Sequence, residues 1–186
     1  MAASGESTIN QCEAIHGLCP TCGLCCNGVL FGSVRLHDDN ELRICQDAGF
    51  ACSAADETHG WQFPQPCSAF DGAFCRIYDV RPGRCRDFHC DLLQRVAAGE
   101  CEMETALSRI EKTKELARKV QSQLHELGFG RQDLPLSHQY QNYQAAKTDR
   151  PIKGQMAFTD GQLMGTVFQL TQALKTFFFP EAGFSP

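Results

Sequence analysis

The chain has 186 residues, 42 % of them hydrophobic, and a formal charge of −5, enough for one ordinary domain or for a small metal module with a helical extension. An acidic balance excludes general nucleic-acid binding, which needs a basic surface to displace counterions. The longest apolar stretch, Gln162 to Pro180, is interrupted by Gln169, Thr171, Gln172 and Lys175 and does not read as a membrane span.

In chain order, Met1 to Gln11 is a loose polar tail. It lacks the basic region and apolar run of a secretory signal, so the expected location is cytoplasmic. Cys12 to Gly28 is rich in turn residues. Val29 to Leu36 alternates as a short strand, and His37 to Pro66 reads mostly as loop because of Asp38-Asp39-Asn40, Gly49, Gly60, Pro64 and Pro66. Phe74 to Asp79 is expected to be a second strand pairing with the first. Arg81-Pro82-Gly83 then turns into a helix over Cys85 to Ala98 that stops at Gly99.

Glu102 to Leu127 carries the clearest helical period, with Met103, Leu107, Ile110, Ala117, Val120, Leu124 and Leu127 near one face and Gly128 as the stop. Glu111–Lys114 and Glu115–Arg118 are its expected solvent-side pairs. Gly130 to Gln155 reads as an extended connector. A last helix is expected from a capping box at Thr159 and Gln162, with Leu163, Val167, Leu170, Leu174 and Phe177 or Phe178 as its stripe.

The 12 cysteines all lie between Cys12 and Cys101. In a reducing compartment, such a set points to metal or redox chemistry before disulfides. One group is Cys19-Pro20-Thr21-Cys22-Gly23-Leu24-Cys25-Cys26; the other is Cys67, Cys75, Cys85 and Cys90. In a Cys-x-x-Cys turn both sulfurs converge on one metal, and a following glycine permits the tight turn. Cys19 and Cys22 match such a zinc knuckle, whereas the C-x-x-C-x-x-C run to Cys25 also occurs around iron–sulfur clusters. Adjacent Cys25 and Cys26 project in different directions and do not suit one small ion. Two four-thiolate sites, or one such site with bridging or redox partners, both remain open.

Arg76, Arg81, Arg84 and Arg86 crowd this region, where cations favour thiolates. The bland alternative is a solvated turn. His89 is a candidate ligand or sulfur partner, with packing as its bland reading, and His16 and His59 are similar. Tyr78 and Phe88 are expected to exclude water. Cys12, Cys45, Cys52 and Cys101 read as buried or free thiols, Cys45 and Cys52 as a local pair. The Phe177-Phe178-Phe179 run looks exposed, either packing on the domain or meeting a partner.

The pattern C-P-x-C-G-x-C-C, followed by P-C-x-x-F and C-x-I-Y-x-x-R-P-x-x-C-R-x-F-x-C, resembles the YkgJ-like cysteine-cluster family, described as a zinc- or iron-chelating domain. The resemblance covers Cys19 to Leu92 and implies metal chelation by Cys19, Cys22, Cys25, Cys26, Cys67, Cys75, Cys85 and Cys90. Some larger proteins with a similar cluster are flagellin lysine N-methylases. No nucleotide- or methyl-donor-binding loop is visible here, so that activity is not carried over.

The expectation is an α-rich, small, metal-organised fold. Residues 12–100 form an irregular cysteine-cluster domain with at most a short β-hairpin, and residues 101–180 a helical extension packed on it. The expected function is binding of an iron–sulfur cluster (4Fe–4S) or Zn2+ in a structural or electron-handling role. The alternatives are a redox or methyl-transfer enzyme using the cluster, and an adaptor meeting a protein partner through the C-terminal helices.

Overall fold

The computed structural model describes residues 11–55, 60–149 and 155–179. His59 and the side chains of Cys12 and His16 lie outside the described residues, as does the Met1–Asn10 tail. The fold is α-rich: seven helices with one short 3-10 turn, and one three-stranded antiparallel sheet, among the described residues.

Helix α1 spans Gln11–Cys22, where turns were expected. Gly23 ends it in the left-handed region (φ 65), its amide donating to Cys19 O at 3.4 Å. Strand β1 is Ser33–Arg35. The stretch read as loop contains α2 (Asp39–Asp47), β2 (Ser53–Ala54) and β3 (Trp61–Pro64). The DDNE sequence is a helix start: Asp38 accepts from the Glu41 amide at 2.8 Å, and Leu42 and Cys45 then turn inward.

The sheet order is β1-β3-β2, with Val34 opposite Phe63 and Ser53 opposite Gln62. The partner of β1 is thus β3 and not the Phe74–Asp79 segment. That segment starts from a tight turn in which Asp71 Oδ1 accepts from the amides of Ala73 and Phe74. Its only pairing among the described residues is the isolated bridge Phe70–Cys75, and Tyr78–Val80 coil into a 3-10 turn.

The helix expected over residues 85–98 is two: α3 (Gly83–Asp87) and α4 (Asp91–Ala97). Phe88 breaks it with extended backbone (φ −75, ψ 114), its ring edge-on to Phe31 at 4.9 Å. Helix α5 (Met103–Glu126) matches expectation and buries Ile110, Ala117, Val120 and Leu124. Its pairs are Glu111–Lys114 and, four residues apart, Glu115–Lys119, in place of Glu115–Arg118.

The expected connector contains α6 (Leu136–Asp149), which buries Leu136, Gln139 and Tyr143 on one face. Only two of these, Leu136 and Tyr143, are apolar or aromatic, which hid the helix's period. Helix α7 (Gln155–Phe177) begins a turn before Thr159, which is buried inside it, so the capping box is absent. Asp160 instead accepts from Tyr143 Oη and pairs with Lys147 Nζ at 2.7 Å, tying α7 to α6.

Two cores form. The larger crosses residue 100: Leu18, Leu24, Leu92, Leu93 and Val96 pack with Ile110, Val120, Leu124, Leu163 and Phe178. Within it α5 packs along α7, and α1 lies on α4 and α5. The smaller core is Leu36, Leu42, Cys45, Phe50, Phe63 and Ala69, under the sheet and α2. Phe178 is fully buried, and Phe177 and Phe179 pack beside it, so the triple-phenylalanine run is part of this chain's own core and not an exposed end. No helix among the described residues is long and apolar enough to cross a membrane.

Candidate metal centre

All eight candidate cysteines line one open cleft between the two cores, about 1490 Å³ in volume. Cys19 and Cys22 stand three residues apart in the last turn of α1, hence on one face. The chain then folds over Gly23, whose carbonyl accepts from the amides of Cys26 (2.9 Å) and Asn27 (3.0 Å). This turn presents Cys25 and Cys26. A Cβ on Gly23 would stand 2.5 Å from the Phe70 ring, so only glycine lets the 67–75 loop close on the end of α1.

The same loop is fastened by Cys67 N donating to Cys26 O at 2.8 Å. Cys75 returns through its bridge to Phe70, Cys85 lies in α3, and Cys90 immediately precedes α4. A buried carboxylate holds α3 in place. Glu41 accepts from Gly83 N at 2.7 Å and from His37 N at 2.8 Å, joining α2 to the first residue of α3.

The eight are not evenly mixed. Cys19, Cys22, Cys25 and Cys90 pack against the larger core, and Cys67 and Cys85 against the smaller one. The electrostatic neighbours sort the same way. Cys22 is raised to about 12 by burial, with Cys90 and Cys19 adding to it. Cys25 is pushed well up by burial, then by Cys22 and Cys90. Cys26 is raised to about 12 by burial, then by Cys67 and Cys75, and Cys85 likewise by burial, then by Cys26, Cys67 and Cys75. Burial raises Cys67 as well, with Cys75 adding to it. Burial also raises Cys90 to about 11, against the Leu93 and Leu92 amides, which favour its thiolate. The two sets meet at the Cys25–Cys26 step and at Cys19, which adds to the repulsion at Cys26.

One cation serves both. Burial raises Cys19, Cys26 and Cys85, and Arg81 opposes the rise at each of them. Its guanidinium stacks on the Tyr78 ring at 3.8 Å. Arg84 and Arg86 line the cleft but are exposed. Arg76 donates to Ser68 O at 2.5 Å and opposes the rise at Cys67. Lys114, expected only as a surface ion pair with Glu111, also donates to Thr21 O at the end of α1 and lowers Cys22.

These donors fit a thiophilic metal in kind. The sulfurs are half-buried or better, lie close enough to repel one another, and receive amide support at Cys22, Cys67 and Cys90. A bound cation displaces the protons that burial now retains. As they stand, the cysteines are free thiols, and among the described residues no group of three or more Cys, His, Asp or Glu side chains is arranged to hold a metal ion. Of the four buried side-chain polar atoms without a partner among the described residues, three belong to residues lining the cleft: Gln65 Oε1, Tyr78 Oη and Arg81 Nε.

Other cysteines fall elsewhere. Cys45 is buried in the smaller core with Cys52 as its hydrogen-bond partner, and Cys101 accepts from Arg109 Nη1 at 3.4 Å. His89, Tyr78 and Phe88 line the cleft. Sequence reasoning placed Gly23 in the turn but missed its contact with Phe70, as it missed Glu41, Gln65 and the reach of Lys114 to Thr21. The D-x-x-E helix start was the available signal for Glu41; the others depend on contacts distant in sequence. No protein-family model matches the chain, and no curated protein or solved structure matches it.

Proposed function

We propose that this protein binds metal through cysteine thiolates in the cleft, as zinc or as an iron–sulfur cluster, in a structural or electron-handling role in the cytoplasm. The observation that supports this most is the gathering of eight thiols from α1, three loops and the short helix α3 onto one cleft. Twelve cysteines and a resemblance to a chelating family point the same way. Bound metal would supply a cross-link between segments with little core of their own and, in a cluster, an electron-accepting centre. The chain's residues bury the sulfurs, aim amides at Cys22, Cys67 and Cys90, and set Arg81 against the accumulated negative charge.

Anaerobic purification with a visible spectrum and analysis for zinc, iron and sulfide tests this. Zinc in colourless protein, or iron and sulfide in brown protein, is the expected result. Protein without metal that takes up none from solution refutes it.

A redox or methyl-transfer enzyme is the second reading. It draws on the three unpartnered polar atoms beside the thiols and on a cleft larger than the usual ligand pocket of about 300–1,000 Å³. Binding of a small molecule that shifts the metal-centre spectrum would favour it.

A further inference from the structure

We infer that the eight thiols make two separate four-thiolate sites, Cys19/Cys22/Cys25/Cys90 and Cys26/Cys67/Cys75/Cys85, joined through the Cys25–Cys26 peptide bond. The inference rests on the metal-binding reading and adds its stoichiometry and ligand assignment.

The first set is built on the larger core. Cys19 and Cys22 share a face of α1, Cys25 follows in the turn that Gly23 closes, and Cys90 precedes α4, which packs on α1. All four of these side chains pack against that core. The second set belongs to the sheet side. Cys67 and Cys85 pack against the smaller core, Cys67 N donates to Cys26 O, and Phe70, which bridges to Cys75, has its amide on Cys67 O at 3.0 Å.

Each set supplies four sulfurs, the number a closed tetrahedral zinc site or a cubane cluster takes. A single centre drawing on both sets would need sulfurs anchored to different cores to converge on one point. Four thiolates around a divalent cation also carry net negative charge. Two such sites side by side repel, and Arg81, held on the Tyr78 ring, lines the cleft they share. Cys45 and Cys52 pair with each other and belong to neither site.

The test is anaerobic titration of the reduced, metal-free full chain with Co2+. It is followed by thiolate-to-cobalt absorption in the near ultraviolet and by intact-mass analysis after alkylation. The expected endpoint is two cobalt ions per chain. Cys22→Ser with Cys90→Ser should leave one ion and protect the sheet-side thiols. Cys67→Ser with Cys85→Ser should leave one ion and protect the helical-side thiols. If purified protein carries iron and sulfide, either pair should halve both. An endpoint of one ion per chain, or loss of both ions in either double variant while its helical signal persists, overturns the partition and leaves metal binding intact. No cobalt bound overturns the metal-binding reading itself. Where a double variant fails to fold, the wild-type cobalt endpoint with its protected-thiol count decides. Two ions with eight protected thiols support two sites; one ion at saturation overturns them.

Discussion

Glu41 gives the sharpest test of how the scaffold holds the sheet-side thiols. Its carboxylate is buried (9 % exposed) and accepts two backbone hydrogen bonds, from Gly83 N at 2.7 Å and His37 N at 2.8 Å. Glu41→Ala leaves both amides without an acceptor. Hydrogen bonds to charged groups contribute about 1.5–3 kcal/mol each. The Gly83 amide is buried and bears about 2 kcal/mol, while the half-exposed His37 side recovers water and bears about 1 kcal/mol.

The sum, about 3 kcal/mol, corresponds to roughly a 150-fold rise in opening of the α2–α3 junction. Because α3 carries Cys85, alkylation of Cys85 in reduced, metal-free protein should accelerate by up to that factor, while Cys22 on α1 stays unchanged. Glu41→Gln keeps one acceptor and should lose about half of the free energy. Cys85 labelling within twofold of the parent in Glu41→Ala would refute the reasoning, because α3 would then be held by something other than this carboxylate.

Three further outcomes are expected. Arg81→Gln should push the Cys19, Cys26 and Cys85 thiols further up, so acidification should strip metal at a higher pH than in the parent; Arg84→Gln, at an exposed position, should leave the profile unchanged. Gly23→Ala meets both a positive φ and the Phe70 ring at 2.5 Å, so it should destabilise by more than about 1 kcal/mol and lower metal content, while adding Phe70→Ala should remove the collision and leave only the backbone part, as urea unfolding of both variants would show. Asp160 is held below the ordinary carboxyl range, first by Lys147 and then by Tyr143, so its contribution is present above the unfolded pKa and lost as pH falls through the lower folded value; urea midpoints measured from about pH 5 to pH 2 should fall less in Asp160→Asn than in the parent.

The parts of the fold legible in the sequence were those with a long apolar period. Helix α5 was readable because Ile110, Val120 and Leu124 repeat on one face, and the α-rich class followed from it and α7. Helix α6 was not, because its buried face includes Gln139, whose amide side chain donates to Leu134 O and accepts from Arg131 N. A polar residue satisfied by local backbone carries no hydropathy signal. Strand pairing failed for another reason. Residues 74–79 have strand-like composition, but β1 finds its partner in β3, whose Phe63 meets Phe50 at 4.7 Å under the sheet. That choice is made by the smaller core and not by the strand's own residues.

The candidate site shows the same division between local and distant information. Which cysteines belong to the cleft was legible from the tight Cys19 to Cys26 run and from the resemblance to the cysteine-cluster pattern, which takes in Cys67, Cys75, Cys85 and Cys90 and leaves out Cys45, Cys52 and Cys101. How they group was not legible. Spacing joins Cys85 to Cys90, yet Cys85 packs against the smaller core and Cys90 against the larger. The extended Phe88, seated on Phe31, turns the chain between them. These two sequence neighbours are thus separated by one break in the helix, while Cys22 and Cys90, 68 positions apart, become electrostatic neighbours because α1 packs on α4. Charge follows the same logic. Four arginines near the cysteines looked equivalent in the sequence, but stacking on Tyr78 holds Arg81 where three thiols feel it, and the exposed Arg84 has no such anchor. A cation influences a thiolate through its distance and burial, and both are set by which face of a short turn it occupies.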